Sequence, residues 1–218
     1  LGCPFPMIAG KHKGAGMLLY PAQVAEVLAP IAEYPEIQFS LKMRLGWENA
    51  SECMVLVELL NAIRLSRIAL HARTGKQQYK GHPDLEAFQG FYELCQHPLY
   101  YNGGIESLSD IRQILIRFPL LKGVFIGRGL LSSPLLAKEF KGNETFLPEQ
   151  RMSIYFAFHE ELFSAYSQVL QGETQLLVKM KTLWEYFLPE TDRKLLKRIK
   201  KSTRLQQYTE SVKAIFTS

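Results

Sequence analysis

Hydrophobic positions alternate between short apolar runs and helical spacings as far as about residue 130. Ile37 to Leu45 alternates and then runs apolar, which predicts a strand carrying Lys42 and Arg44 and closed by Gly46. Arg67 to His71 predicts a second strand, with the polar loop Arg73 to Tyr79 behind it. Leu99 to Tyr101 and Val124 to Ile126 predict two more. Between them, Pro21 opens a helix bearing Val24, Val27, Leu28 and Ile31. A helix over 51–63 has Ser51 placed to cap it, and others follow over 85–94 and around Ile111 and Ile114. Ser107 or Ser109 is placed to cap the last of these, and a short helix follows Ser133-Pro134. Strands alternating with helices predict an α/β fold with a parallel sheet.

The pattern changes at Lys141-Gly142-Asn143. From Pro148 onward only helical periodicity remains: Ile154, Phe158 and Leu162, then Leu176, Leu177, Met180, Leu183, Trp184 and Phe187. Trp184 and Phe187 are expected in a core. Two domains are therefore expected, 1–146 and 147–218.

Composition adds exclusions. No apolar run approaches the length of about 18 residues that a membrane span needs, and no secretory signal is visible, so a cytoplasmic protein is expected. Cys3, Cys53 and Cys95 are the three cysteines; they show no metal-like spacing, and no metal is expected. The net charge of +5 is mild, but its placement is uneven. Lys194, Lys197, Arg198 and Lys201 share one helical face, which is either a solvated surface or a contact for a nucleic-acid backbone. Lys11-His12-Lys13 forms a second basic stretch, in a loop punctuated by Gly10, Gly14 and Gly16.

The candidate chemistry lies at strand ends. Asn102-Gly103-Gly104 and Gly127-Arg128-Gly129 each follow a strand and open helical pattern, where bare backbone N–H groups favour an anion. Two such turns on successive βα units are where a (β/α)8 barrel keeps its phosphate site, so a phosphorylated cofactor is expected across them. Only four strands precede the tail, and Leu1-Gly2-Cys3-Pro4 reads as the end of a strand. A chain beginning halfway through a barrel, as a fragment of a longer protein, is therefore expected. Lys42 inside an apolar strand is costly unless it serves a site or reaches solvent from an edge. Cys3 is either a small hydrophobe or a thiol suited to proton transfer near neutral pH.

Leu1-Gly2-Cys3-Pro4, Lys42-Met43-Arg44-Leu45-Gly46-Trp47, His71-Ala72-Arg73-Thr74 with Gln78-Tyr79-Lys80-Gly81, Asn102-Gly103-Gly104-Ile105 and Ile126-Gly127-Arg128-Gly129 occur in an order and spacing that resembles the tRNA-dihydrouridine synthases. The resemblance implies the carboxyl-terminal half of an FMN-bearing TIM (β/α)8 barrel, followed by an all-α tRNA-binding domain. It implies reduction of uridine to 5,6-dihydrouridine in tRNA, with NADPH as reductant and Cys3 as the acid that protonates uracil C5. Lys42 and His71 would then lie against the flavin ring, while Asn102, Gly103, Gly104, Gly127 and Arg128 hold its phosphate. Arg73 and Tyr79 would face the uracil or a nearby phosphate. Lys179 and Lys181 would join Lys194, Lys197, Arg198 and Lys201 on tRNA. The chain departs from the family pattern at Pro6-Met7, where a Lys or Thr is common, and at Gly104, where an acidic residue often follows Asn-Gly. Two other readings stand beside this one: another FMN- or phosphate-binding barrel enzyme acting on a small molecule, and a non-catalytic RNA-binding remnant.

Overall fold

The computed structural model describes residues 1–217. The chain divides into two compact units, Leu1–Ile105 with Ser109–Ile126, and Glu106–Leu108 with Gly127–Ser218.

The first unit is built on a four-stranded parallel sheet in the order β1-β2-β3-β4: β1 Ser40–Gly46, β2 Arg67–Thr74, β3 Leu99–Asn102 and β4 Gly123–Phe125. The first strand starts three residues later than the sequence pattern suggests, and the second runs on through Thr74. Helices α1 Pro6–Ala9 and α2 Pro21–Leu28 precede the sheet, and α3 Glu52–Val55, α4 Val57–Asn61, α5 Leu85–Leu94 and α6 Leu108–Arg117 connect its strands. Pro21 occupies the first turn of α2, where its missing N–H costs nothing. Asp84 caps α5, its carboxylate accepting from the Ala87 N–H at 2.9 Å.

One expectation fails locally. Residues 51–63 form two short helices that break at Leu56, and the Ser51 side chain caps neither. The Glu52 carboxylate instead accepts from the backbone N–H groups of Trp47, Glu48 and Asn49 at 2.7, 3.1 and 2.8 Å. A charged acceptor for three N–H groups outcompetes a single hydroxyl.

The two faces of the sheet differ in kind. Leu41, Met43, Leu45, Ile68, Leu70, Ala72, Leu99 and Tyr101 alternate onto one face and are buried. Phe88 of α5 closes over it, edge-on to Tyr101 and to Phe118 at 4.9 and 5.0 Å between ring centroids. The register pairs Lys42 with Ala69 and Arg44 with His71. His71 pairs in turn with Asn102, and Asn102 with Phe125, so these polar residues share the opposite face.

The second unit is helical throughout: α7 Arg128–Ser132, α8 Leu136–Gly142, α9 Pro148–Val169, α10 Gly172–Leu183, α11 Arg193–Lys201 and α12 Leu205–Phe216. Its core gathers Tyr155, Leu176, Leu177, Met180, Trp184, Phe187, Ile199, Tyr208, Val212 and Ile215. Trp184 and Phe187 are buried as expected. At its centre the Tyr208 hydroxyl accepts from Trp184 Nε1 at 3.0 Å and lies 2.6 Å from His159 Nε2. The Glu160 carboxylate, 3.1 Å from Nδ1, can only accept, so Nδ1 donates to it and Nε2 of the neutral ring accepts the Tyr208 hydroxyl proton. Glu139, also buried, is held by an ion pair with Arg151. The pattern change at Lys141-Gly142-Asn143, and with it the expected boundary between residues 146 and 147, falls within this unit.

Candidate functional site

Arg44 organises the polar face of the sheet. Its side chain is 2% exposed, and its guanidinium donates to the carbonyls of Gly2 at 3.1 Å and of Thr74 and Gln78 at 2.8 Å each. One side chain on β1 thereby anchors the segment carrying Cys3 and the loop carrying Tyr79. It also lies over the Tyr79 ring, 5.6 Å from the centroid. Sequence reading named Arg44 within its motif but gave it no role. The available signal was strand periodicity, which puts Arg44 on the same face as Lys42.

Lys42 projects beside the Cys3 segment: a Cβ built on Gly2 would stand 3.9 Å from its Nζ. Among the described residues no carboxylate pairs with it. Much of its area stays open on this face, yet burial of the ammonium, and secondarily the charge of Arg44, hold its pKa below the usual lysine value. Cys3 is exposed, and its carbonyl accepts from the Ala15 N–H at 2.9 Å.

His71 is buried, and its Nε2 lies 3.3 Å from Arg73 Nη1. Because a guanidinium only donates, that imidazole nitrogen is an acceptor. Arg73 is itself buried, and Nε and Nη2 both reach the Gly81 carbonyl, at 3.2 and 2.9 Å. Tyr79 is exposed, with its ring 6.4 Å from that of His71. Asn102 ends β3 with its side-chain amide donating to the Phe125 carbonyl at 2.7 Å. Gly103 follows at φ 128° and Gly104 at φ 64°. A Cβ on Gly103 would come within 3.0 Å of His71 Cδ2, so the turn is kept bare where it meets the imidazole.

Cys3's segment, Lys42, His71, Arg73, Tyr79, Asn102 and Gly103 thus gather along one face of β1, β2 and β3, with Arg73, Asn102 and Gly103 at the carboxyl ends, where parallel α/β sheets carry their chemistry. The charge there is positive, and Gly104, at φ 64°, leaves backbone exposed where a side chain would be strained. Such a face suits an anionic, planar ligand. The family model for dihydrouridine synthase (Dus) matches residues 1–217. The chain belongs to the dihydrouridine synthase family.

Curated members of the dihydrouridine synthase family share its sequence at modest identity. A probable tRNA-dihydrouridine synthase of Aquifex aeolicus is 34% identical over 144 residues, 64% of this chain and 45% of its own length. One from Rhizobium leguminosarum is 30% identical over 135 residues, covering 62% of this chain and 42% of the relative. The tRNA-dihydrouridine synthase B of Vibrio vulnificus is 26% identical over 153 residues, 68% and 47% of the two lengths. The chain spans less than half the length of these dihydrouridine synthases.

The remaining predicted residues lie in the second unit. Gly127 stands just before α7 in open space, where an added Cβ meets nothing within 4 Å, and Arg128 is the first residue of that helix. Asp192 caps α11 by accepting from the N–H groups of Lys194 and Leu195 at 2.7 and 3.1 Å. Arg198, Lys200 and Lys201 fill its last turn, where the helix dipole favours cations. Lys194, Lys197, Arg198 and Lys201 together line a cleft of about 420 Å³, with Ser202, Gln207, Glu210 and Ser211. Lys179 lies over the Tyr166 ring at 5.3 Å. Lys181 is engaged internally, its ammonium donating to the Ser202 carbonyl at 2.8 Å. Among the described residues there is no group of His, Cys, Asp and Glu able to hold a metal, and no helix is long and apolar enough to cross a membrane.

Proposed function

We propose that this chain contributes to FMN- and NADPH-dependent reduction of uridine to 5,6-dihydrouridine in tRNA. The observation that carries the reading is the convergence of Lys42, His71, Arg73 and Asn102 with the Cys3 segment on one polar sheet face, organised by Arg44. An all-parallel sheet with one face apolar and helix-covered and the other polar also supports half of a (β/α)8 barrel as its architecture, with the helical unit as the tRNA-binding domain.

A flavin fits the donor set. Among the described residues the Lys42 ammonium has no carboxylate partner, and it favours an electron-rich ring. His71 lies against the bare turn at Gly103, and Asn102, Gly103 and Gly104 offer a side-chain amide and backbone for a phosphate. Gly127 and Arg128 are assigned to the cofactor on their motif alone. A flavin bound there supplies reducing equivalents, replenished by NADPH, to the 5,6 double bond of uracil. Lys42 neutralises negative charge developing on the ligand, Arg73 fixes the acceptor nitrogen of His71, and Tyr79 with Arg44 borders the uracil. The Cys3 thiol delivers the proton to uracil C5, which quenches the charge left on the ring. Lys179, Lys194, Lys197, Arg198 and Lys201 contact tRNA phosphates, and Lys181 supports them through its bond to Ser202. The expected location is cytoplasmic.

Mapping dihydrouridine in tRNA from cells with and without the intact gene tests this. At least one position should lose the modification completely; an unchanged map would overturn the assignment.

A further inference from the structure

The loop Gly10–Lys13 takes no part in the reading above. Lys11, His12 and Lys13 are consecutive and exposed, and among the described residues no carboxylate pairs with them. The loop is nonetheless well fixed. The N–H groups of Lys11 and Lys13 both donate to the Ile8 carbonyl, at 3.2 and 3.3 Å, and that of His12 donates to Ala9 at 3.0 Å. His12 adopts the left-handed conformation at φ 53°. Its ring stacks on Tyr20, 4.1 Å between centroids and 26° between planes. Immediately downstream, Gly14 passes so near Cys3 that a Cβ there would fall 2.6 Å from the Cys3 carbonyl oxygen. Ala15 donates to the same oxygen at 2.9 Å. Two free cations and an aromatic pair are thus held in fixed relation to the backbone of Cys3.

A uridine in structured RNA must leave its stack before its ring can be reduced. The strand on either side then presents phosphates and an uncovered base face, which cations and aromatic planes recognise. We propose that Lys11, Lys13 and the His12–Tyr20 stack form a contact ridge for the RNA strand flanking the target uridine. Lys11 and Lys13 meet phosphates; the His12–Tyr20 stack takes an unpaired base. This inference rests on the RNA reading given above.

The test is equilibrium binding of a fluorescently labelled, unmodified tRNA transcript across a salt series. In the double variant Lys11→Ala/Lys13→Ala, the slope of log affinity against log salt should shrink by about 1.4 to 1.8, the value of two phosphate contacts. At about 0.1 M salt its affinity should fall about tenfold. His12→Ala should lose about tenfold with its slope unchanged, and His12→Phe should recover most of that loss. Circular dichroism and the thermal midpoint should match the parent in every variant. An unchanged slope in the double variant overturns the ridge, and so does a parent chain that binds no tRNA. If His12→Ala binds like the parent, the stacking role fails. Weakened binding together with a dihydrouridine map independent of the gene would overturn the enzymatic reading and leave the ridge standing.

Discussion

With 2% of its surface exposed, Arg44 has no water to fall back on, and the carbonyls that accept its donors belong to two separate segments. Arg44→Met keeps the packing volume but leaves those carbonyls short of a donor, at a cost of about 1–3 kcal/mol. The denaturation midpoint should fall, and limited proteolysis should begin to cut within 74–81. Cys3→Ala in the intact protein should abolish dihydrouridine formation while flavin absorbance persists, as measured by turnover assay and visible spectrum. The glycines make a sharper pair. Gly103→Ala forces a side chain into φ 128° and against His71, and should cost about 1–3 kcal/mol. At Gly127 an added Cβ enters open space, so Gly127→Ala meets no side-chain clash and should cost less than Gly103→Ala by the same melts. Lys42, His71 and Asn102 were legible in the sequence as polar residues in or ending apolar strands. The role of Arg44 was not, because its acceptors lie 30 to 42 residues away and are all main chain.

Among the elements, the helical unit carries its own titration. Burial, opposed by the Glu160 carboxylate, holds the His159 pKa below the usual histidine value, while burial pushes the Tyr208 hydroxyl up. Both groups are therefore neutral in the folded unit at neutral pH. Between the lowered folded pKa of His159 and its unfolded value of about 6.5, the unfolded chain binds more protons. Stability is thus fully present above about pH 6.5 and falls as pH drops through that window. Thermal midpoints taken from pH 7.5 down to pH 5 should decline, and His159→Phe should flatten the decline. Apolar periodicity placed Trp184 and Phe187 in the core, but gave no sign of the polar chain among them. His159 and Tyr208 are 49 residues apart, on different helices, and each reads alone as an ordinary amphipathic position. The unused Ser51 cap was hidden for a related reason: Glu52 reads as a first-turn acid, and its carboxylate folds back onto the three residues Trp47 to Asn49.

Across the whole molecule, the excess positive charge is not spread evenly. Four of the cations line one cleft, beside Glu210, the one carboxylate there among the described residues, whose Oε1 already accepts from Gln206 at 3.0 Å. Replacing Lys194, Lys197, Arg198 and Lys201 together by Ala should lower the salt slope of tRNA binding by up to about 3.6. Unit stability should barely change, since all four side chains are exposed. The basic face was readable from i, i+3, i+4 spacing alone, because one helix sets the geometry of its own face; the α12 residues that complete the cleft were not. The pairing of strands into a four-membered parallel sheet was readable as well, from the alternation of runs.

Lys181 behaves differently from its neighbours in any survey of that charge. Its ammonium closes the carbonyl of Ser202, the residue that terminates α11, so it holds the end of the helix on which the basic cleft is built. Acetylating or truncating it would loosen that terminus and scatter the cations that follow from it. An alanine survey ranked by lost RNA affinity would therefore read, at Lys181, the integrity of that helix end as well as any contact of its own.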